Sequence, residues 1–306
     1  MGRLIVNADD FGLTRGVNRA IAELHRAGVL TSATMMARAP ATEDAIEIAL
    51  ATPTLGVGCH VVLVDGEPVL SAFRDIPNLT DPITLRFRPT LYDFLRWFYY
   101  ERTWLHTQAH HAVEIEAETA AQIRLLQSRG VHLTHIDTHK HTHMFPAVLR
   151  PILRAARAAG IRAVRNPFEP AWSLRATTRA PWFRRMQVGL LRRLEPAFLR
   201  IVAEEGFTTT NGAIGVLATG TLDATSVNSL LQQLPQGTWE LVSHPGYNDE
   251  ELAQGHTRLL ASRETELHAL KELLRFPDIE LISYAEELAS SSLSQTSKSK
   301  AVQNSY

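Results

Sequence analysis

The sequence predicts an α/β fold, specifically a distorted β/α barrel of mostly parallel strands with helical and irregular insertions. Three observations predict it. Short apolar runs of strand length alternate with stretches of helical periodicity, which implies strands joined by helical crossovers and hence a mostly parallel sheet. About seven such units follow one another, enough to close or nearly close a barrel. Polar clusters stand where the apolar runs end, and barrels gather their functional groups at strand ends.

Taken in order, Leu4-Ile5-Val6 reads as a buried strand that breaks into Asn7-Ala8-Asp9-Asp10-Phe11-Gly12. A helix follows, with Thr14 or Asn18 as its cap, Val17, Ile21 and Leu24 on one face, and Gly28 at its end. Residues 30–36 read as a second strand, 43–51 as a helix and 55–63 as a third strand that holds His60. Residues 64–82, rich in Pro, Asp and Gly, form a long loop of the kind that often carries function. Tyr92, Phe94, Trp97, Phe98, Tyr99, Tyr100 and Trp104 follow, off clean helical spacing and with Arg86, Arg88 and Arg96 among them. This segment reads as a lid or membrane-facing patch, against the plainer reading of a core helix. A helix is expected over 113–129, a strand over 133–137, a helix over 145–159 ended by Gly160, and a short strand over 162–165. Residues 166–210 are irregular and read as a helical insertion. Late strands are expected at 213–217, 239–243 and 280–283, with a helix over 258–274. Residues 1–289 are thus expected to form one barrel domain with insertions near 64–110 and 166–210, and the Ser-, Lys- and Gln-rich residues 290–306 a disordered tail.

The 306 residues, 45% apolar and 21% charged, supply a sizeable core. A net charge of −1 argues against bulk nucleic-acid binding. The single cysteine, Cys59, excludes an intrachain disulfide and points to a reducing compartment. Residues 1–10 read as too short and too polar at their end for a signal sequence, and no run reaches the ~18 apolar residues of a membrane span. The expectation is a cytoplasmic protein without a nucleic-acid partner; a homo-oligomer stays open.

Four clusters carry the chemistry. Neighbouring strand residues point to opposite faces, so Asp9 and Asp10 reach one site only where the strand ends or bulges. Two adjacent carboxylates repel, and a cation beside them relieves that cost. One then ligates a metal while the other acts as a base; the plainer alternative is a helix cap. His60 lies among small and apolar residues, where a lone histidine is usually a satisfied core residue. His135, Asp137, His139, His141 and His143 occupy alternate positions and would share one face if the chain stayed extended. An aspartate and two histidines from three strand ends, with coordination positions left open, form a catalytic rather than structural metal pattern. His244, before Pro245-Gly246, is a candidate proton donor, or a histidine in an ordinary turn.

These motifs together resemble the YdjC-like carbohydrate deacetylase family: Asn7-Ala8-Asp9-Asp10-Phe11-Gly12, Gly56-Val57-Gly58-Cys59-His60, Thr134-His135-Ile136-Asp137-Thr138-His139-Lys140-His141-Thr142-His143-Met144-Phe145-Pro146 and Ser243-His244-Pro245-Gly246-Tyr247. The resemblance runs over residues 3–288. It implies a distorted β/α barrel that removes N-acetyl groups from sugars with one divalent metal ion. By that resemblance Asp10, His60 and His139 match the metal ligands, Asp9 the catalytic base and His244 the acid. Asp137 orients a ligand histidine or serves the strand alone. His135, His141, His143, Trp97 and Tyr247 rank as substrate contacts or supports. The family is described with Mg2+, whereas two imidazoles and a carboxylate suit Zn2+, Mn2+, Ni2+ or Fe2+.

Arg88-Pro89-Thr90-Leu91 with Arg96-Trp97-Phe98, Asn166-Pro167-Phe168-Glu169-Pro170-Ala171-Trp172 and Gly215-Val216-Leu217-Ala218-Thr219-Gly220 are similar to the hopanoid-biosynthesis-associated branch. That likeness implies an N-acetylglucosaminyl group on a hopanoid glycolipid as substrate, and peripheral contact with the inner face of the membrane. A chitooligosaccharide or another acetylated sugar is the alternative. Two rival classes share part of the pattern. A non-haem iron oxygenase uses two histidines and a carboxylate, but usually on an all-β fold. A non-catalytic sugar-binding protein has no need of a free carboxylate.

Overall fold

The structure, a computed structural model, describes residues 2–100, 107–254 and 259–288, with the backbone alone for residues 97–100 and 107–109. In chain order the first half holds β1 (Gly2–Phe11), α1 (Arg15–Arg26), β2 (Ser32–Met35), α2 (Thr42–Ala51), β3 (Gly56–Val61), α3 (Leu91–Tyr100), α4 (Thr107–Ser128) and β4 (Leu133–Thr138). A tight turn over His139–Met144 leads into α5 (Pro146–Ala158), α6 (Ala171–Ala176), α7 (Trp182–Leu191) and α8 (Glu195–Glu204). The chain then makes β5 (Ala213–Ile214), α9 (Ala224–Gln232), β6 (Gly237–Ser243), α10 (Glu250–Gln254), α11 (Arg263–Leu270) and β7 (Glu280–Leu281).

Among the described residues the seven strands all pair in parallel, in the order β4-β3-β2-β1-β6-β5, with β7 beside the start of β1. Past β4 the ring continues on single bridges, Ile136 to Val164 and Ala163 to Thr208. The segment 208–214 returns to β6 through β5. The sheet therefore curls into a distorted barrel whose seam rests on isolated bridges. The strand expected at 162–165 is reduced to these bridges because Pro167, which has no N–H, cannot extend a ladder.

Helices such as α1 and α5 pack their apolar faces against the outside of the sheet. On α1 the residues Val17, Ile21 and Leu24 are fully buried, as a 3-to-4 spacing requires. Thr14 is the cap, its hydroxyl accepting from Val17 N at 3.3 Å, and neither Asp9 nor Asp10 serves in that role. Asn18 instead accepts from Gly12 N at 2.7 Å, which fixes the chain where it leaves β1. The long loop after β3 is pinned by one face of α4. Glu118 accepts from the backbone N–H groups of Val69 and Leu70, and Glu114 from that of Leu79.

The aromatic segment is helical over Leu91–Tyr100, with Thr90 Oγ1 accepting from Asp93 N at 3.0 Å at its start. Phe94 is fully buried and Tyr92 exposed, so Phe94 follows the plainer core-helix reading. The side chain of Trp97 and all of Trp104 lie outside the described residues, as does the tail from residue 289 onward. Among the described residues no helix is long and apolar enough to cross a membrane.

Candidate active site

The site stands at the C-terminal ends of β1, β3, β4 and β6, and each side chain arrives there through a local feature of the backbone. β1 bulges between Ala8 and Phe11, and Asp10 takes the left-handed conformation with φ 64°. That break in alternation turns both adjacent carboxylates toward one place. In the register of β3 on β4, His60 lies beside Asp137, and the pairing becomes a 2.8 Å contact from His60 Nδ1 to Asp137 Oδ1. Asp137 thereby fixes the ring and leaves His60 Nε2 facing Asp10.

The His-rich segment does not stay extended. After Thr138 it turns, with Lys140 at φ 55° and His141 at φ 52°. Left-handed backbone at non-glycine residues is costly and is tolerated where the surroundings hold it. Here Lys140 Nζ donates to Asp65 Oδ2 at 2.8 Å and to Pro89 O at 3.0 Å, tying the turn to the loop after β3. The four histidines consequently part company. His139 reaches the site. His135, fully buried inside the barrel, stacks on Tyr284 with ring centroids 3.9 Å apart. It fits only because residue 58 is glycine: a Cβ there would lie 2.6 Å from the imidazole. His143 is buried between Thr138 Oγ1, at 2.7 Å, and Arg165 O, at 3.2 Å. His141 is half-buried and its Nδ1 has no hydrogen-bond partner; burial and the charge of Arg165 push its pKa down to about 3, so it is neutral.

Asp10, His60 and His139 converge. His139 Nδ1 is 3.3 Å and His60 Nε2 3.6 Å from Asp10 Oδ1, and the two nitrogens are 3.3 Å apart. These three residues form a group that could hold a metal ion. Asp10 Oδ1 is buried and accepts no hydrogen bond of ordinary geometry, while Oδ2 accepts from Arg263 Nη2 at 2.5 Å. An orphaned carboxylate oxygen facing two imidazoles is the environment a divalent cation fits. A second cluster of Asp9, His60 and Asp137 also lies within coordinating distance, but Arg165 already supplies its positive charge.

Arg165 was not among the residues singled out in the sequence. Completely buried, it donates to Asp9 through Nη1 at 2.8 Å and Nη2 at 2.6 Å, lies 2.5 Å from Asp137 Oδ2, and donates from Nε to Glu240 Oε1 at 2.8 Å. Burial works against charge on Asp9, yet Arg165 outweighs it and holds the carboxyl far below the ordinary range. Glu240 in turn accepts from Tyr284 Oη at 2.5 Å. The barrel interior below the site is thus a charged network, where many barrels carry branched apolar layers.

His244 follows β6, its Nε2 3.8 Å from Asp9 Oδ2. Glu266 accepts from His244 N at 2.6 Å and lies 3.7 Å from its Nδ1. Burial alone would lower the pKa of His244, but Glu266 and the two aspartates raise it above the ordinary value. Tyr247 sits away from this centre: its hydroxyl donates to Glu23 at 2.5 Å and Arg19 stacks on its ring at 3.9 Å. Arg263 and Glu266 also escaped the sequence reading, since their helix shows no pattern beyond mixed charge. Arg165 had one signal, a charged residue directly after the apolar pair Ala163-Val164, as His244 stands just past Leu241-Val242-Ser243.

The fold and site define a parallel β/α barrel whose strand ends carry an Asp–His–His group that could hold a metal ion. The chain belongs to the YdjC-like family, whose model matches residues 3–273. A carbohydrate deacetylase from Brevibacillus brevis is 33% identical over 93% of this chain and 99% of its own. A chitooligosaccharide deacetylase from Salmonella typhimurium is 38% identical over 159 residues, covering 52% of this chain and 57% of the relative. The crystal structure of a candidate cellobiose-phosphate cleavage protein from Enterococcus faecalis V583 superposes with a TM-score of 0.70, at 25% identity, over 94% of this chain and 98% of that one.

Proposed function

We propose that this chain is a hydrolase of amide C–N bonds that removes the acetyl group from an acetamido sugar with the help of a divalent metal. The observation that carries the reading is the orphaned Asp10 Oδ1 facing His60 and His139, with Asp9 and His244 close by. The full-length Brevibacillus relative, named a carbohydrate deacetylase, supports the reaction class.

Asp10, His60 and His139 would hold the ion. Two imidazole nitrogens and one carboxylate oxygen suit Zn2+ better than Mg2+, which takes mainly oxygen. A divalent ion supplies Lewis acidity to the amide carbonyl and to water. The residues do the rest. Asp9, kept ionised by Arg165, takes the proton of the water that adds to the carbonyl carbon. A base this weak works only on water already made acidic, so its role depends on the neighbouring donor set being filled. His244, protonated with the help of Glu266, donates to the amine nitrogen as the C–N bond breaks. Acetate and a free amine leave. His141, neutral and with an unbonded Nδ1, would contact the sugar.

The finer reading is an N-acetylglucosaminyl group carried on a hopanoid glycolipid, supported by the residue 88–98, 166–172 and 215–220 motifs. The Salmonella relative favours a chitooligosaccharide as the alternative. The test measures acetate release from an N-acetylglucosaminyl hopanoid and from chitobiose, using metal-stripped and metal-restored protein. Metal-dependent release from the lipid alone establishes the finer reading, release from chitobiose alone the alternative, and release from neither overturns both.

A further inference from the structure

We propose that α7 is a docking surface for an anionic phospholipid bilayer, placed at the end of the barrel where the active site opens. None of its ten residues is buried. Trp182, Phe183, Met186 and Leu190 are 73%, 55%, 63% and 58% exposed. At 100° per residue these four fall within about one-third of the helix circumference, so they form one outward stripe about 12 Å long. Such a stripe of large apolar side chains on a surface helix marks an interaction site.

The charge around the stripe selects the occupant. Residues 171–194 contain six arginines and no aspartate or glutamate. Arg184 and Arg185 turn inward and donate to backbone carbonyls, Arg184 to Val216 O at 3.2 Å and Arg185 to Leu174 O at 2.5 Å. Arg179 pairs with Asp223 at 2.7 Å and Arg192 with Glu195 at 3.8 Å, while Arg175 and Arg193 are exposed. Two copies meeting on this face would bring like charges together, whereas anionic headgroups neutralise them. An apolar aromatic face rimmed by arginine is the composition of a helix lying in the membrane interface.

The position follows from the topology. α6 and α7 begin the connection that leaves the strand-end side of the barrel after Arg165, and Arg184 contacts Val216, just past the end of β5. A bilayer on the stripe therefore lies beside the site mouth, and a substrate anchored in that bilayer is delivered to it. The docking stands independently of the proposed chemistry.

The experiment floats the full chain with vesicles of phosphatidylcholine, alone or with about a third phosphatidylglycerol. It compares wild type with a combined Trp182→Gln, Phe183→Gln, Met186→Gln and Leu190→Gln variant, and with Arg175→Glu plus Arg193→Glu. Wild type is expected to partition at least about tenfold more onto the anionic vesicles. The stripe variant should lose at least about tenfold of that binding, and the arginine variant should lose the preference for anionic lipid. Acetate release from a soluble acetylated sugar should be unchanged in both. Absent wild-type binding, or equal binding by the stripe variant, overturns the proposal. So does a wild-type dimer, seen by sedimentation, that the stripe variant breaks, because the stripe would then belong to a second copy. Vesicle binding without acetate release from any substrate would remove the deacetylase reading and leave the docking surface intact.

Discussion

Replacing Arg165 by methionine is the sharpest test of the charged interior. The substitution keeps much of the volume and removes a guanidinium that contacts Asp9, Asp137 and Glu240 at 2.5–2.8 Å, all four residues being essentially inaccessible. Breaking a buried ion pair by deleting one partner costs about 3–5 kcal/mol. Three carboxylates lose their cation here, but Asn7 still donates to Asp9, His60 to Asp137 and Tyr284 to Glu240. A net loss of about 4 kcal/mol is therefore expected, which lowers Tm by about 10 °C in a domain of this size. The pH dependence carries the signature. In the wild type the folded pKa of Asp9 is depressed, so its pairing stabilises the fold above the unfolded value of about 3.9 and fades below it. In the variant Asp9 and Glu240 lose this cation, their folded pKa values rise, and stability recovers as pH falls through them. Urea unfolding of metal-free protein should thus show the largest gap near pH 8 and a smaller one near pH 5. A loss under about 1 kcal/mol at pH 8, or a gap that does not change with pH, would refute the reasoning.

Four shorter predictions accompany it. Asp9→Asn should bind metal as the wild type does and lose about 10²- to 10⁴-fold in kcat, checked by steady-state acetate release beside metal titration. Asp137→Asn should weaken metal binding about 10- to 100-fold through misorientation of His60, read by competition with a chromogenic chelator. In metal-free protein burial opposes charge on His60, but Asp137 and the two aspartates of β1 raise its pKa to about 9. A metal must displace that proton, so apparent affinity should climb as pH rises and level off above about 9. Gly58→Ala would drive a Cβ to 2.6 Å from the His135 ring; a loss of about 1–3 kcal/mol in unfolding free energy is expected.

The fold was legible because apolar runs such as Leu4-Ile5-Val6 and Leu241-Val242 give way to the polar residues around Asp9 and His244, and a parallel barrel collects such ends on one face. The two adjacent aspartates announced a break in alternation, and the bulge with left-handed Asp10 supplies it. The His-rich segment misled in one respect. Its even spacing suggested a common face, but two left-handed residues held by Lys140 curl it, so only His139 reaches Asp10. Arg165 and Arg263 were not legible as partners of Asp9 and Asp10, because they lie 156 and 253 residues away and no local pattern links them. The α7 stripe was hidden for a different reason. Its leucines and aromatics look like core until the helix is seen to face outward.

The charged column inside the barrel also bears on how such a chain can evolve or be engineered. In many folds the centre can be repacked for heat resistance while the reactive groups sit apart on loops. Here Arg165 belongs to the foundation and touches the proposed base at the same time. A substitution that raises melting temperature by making the centre greasier would also alter the proton affinity of Asp9. Variants that gain robustness without altering chemistry should consequently accumulate in the outer helices and loops, leaving the axis of the barrel nearly frozen.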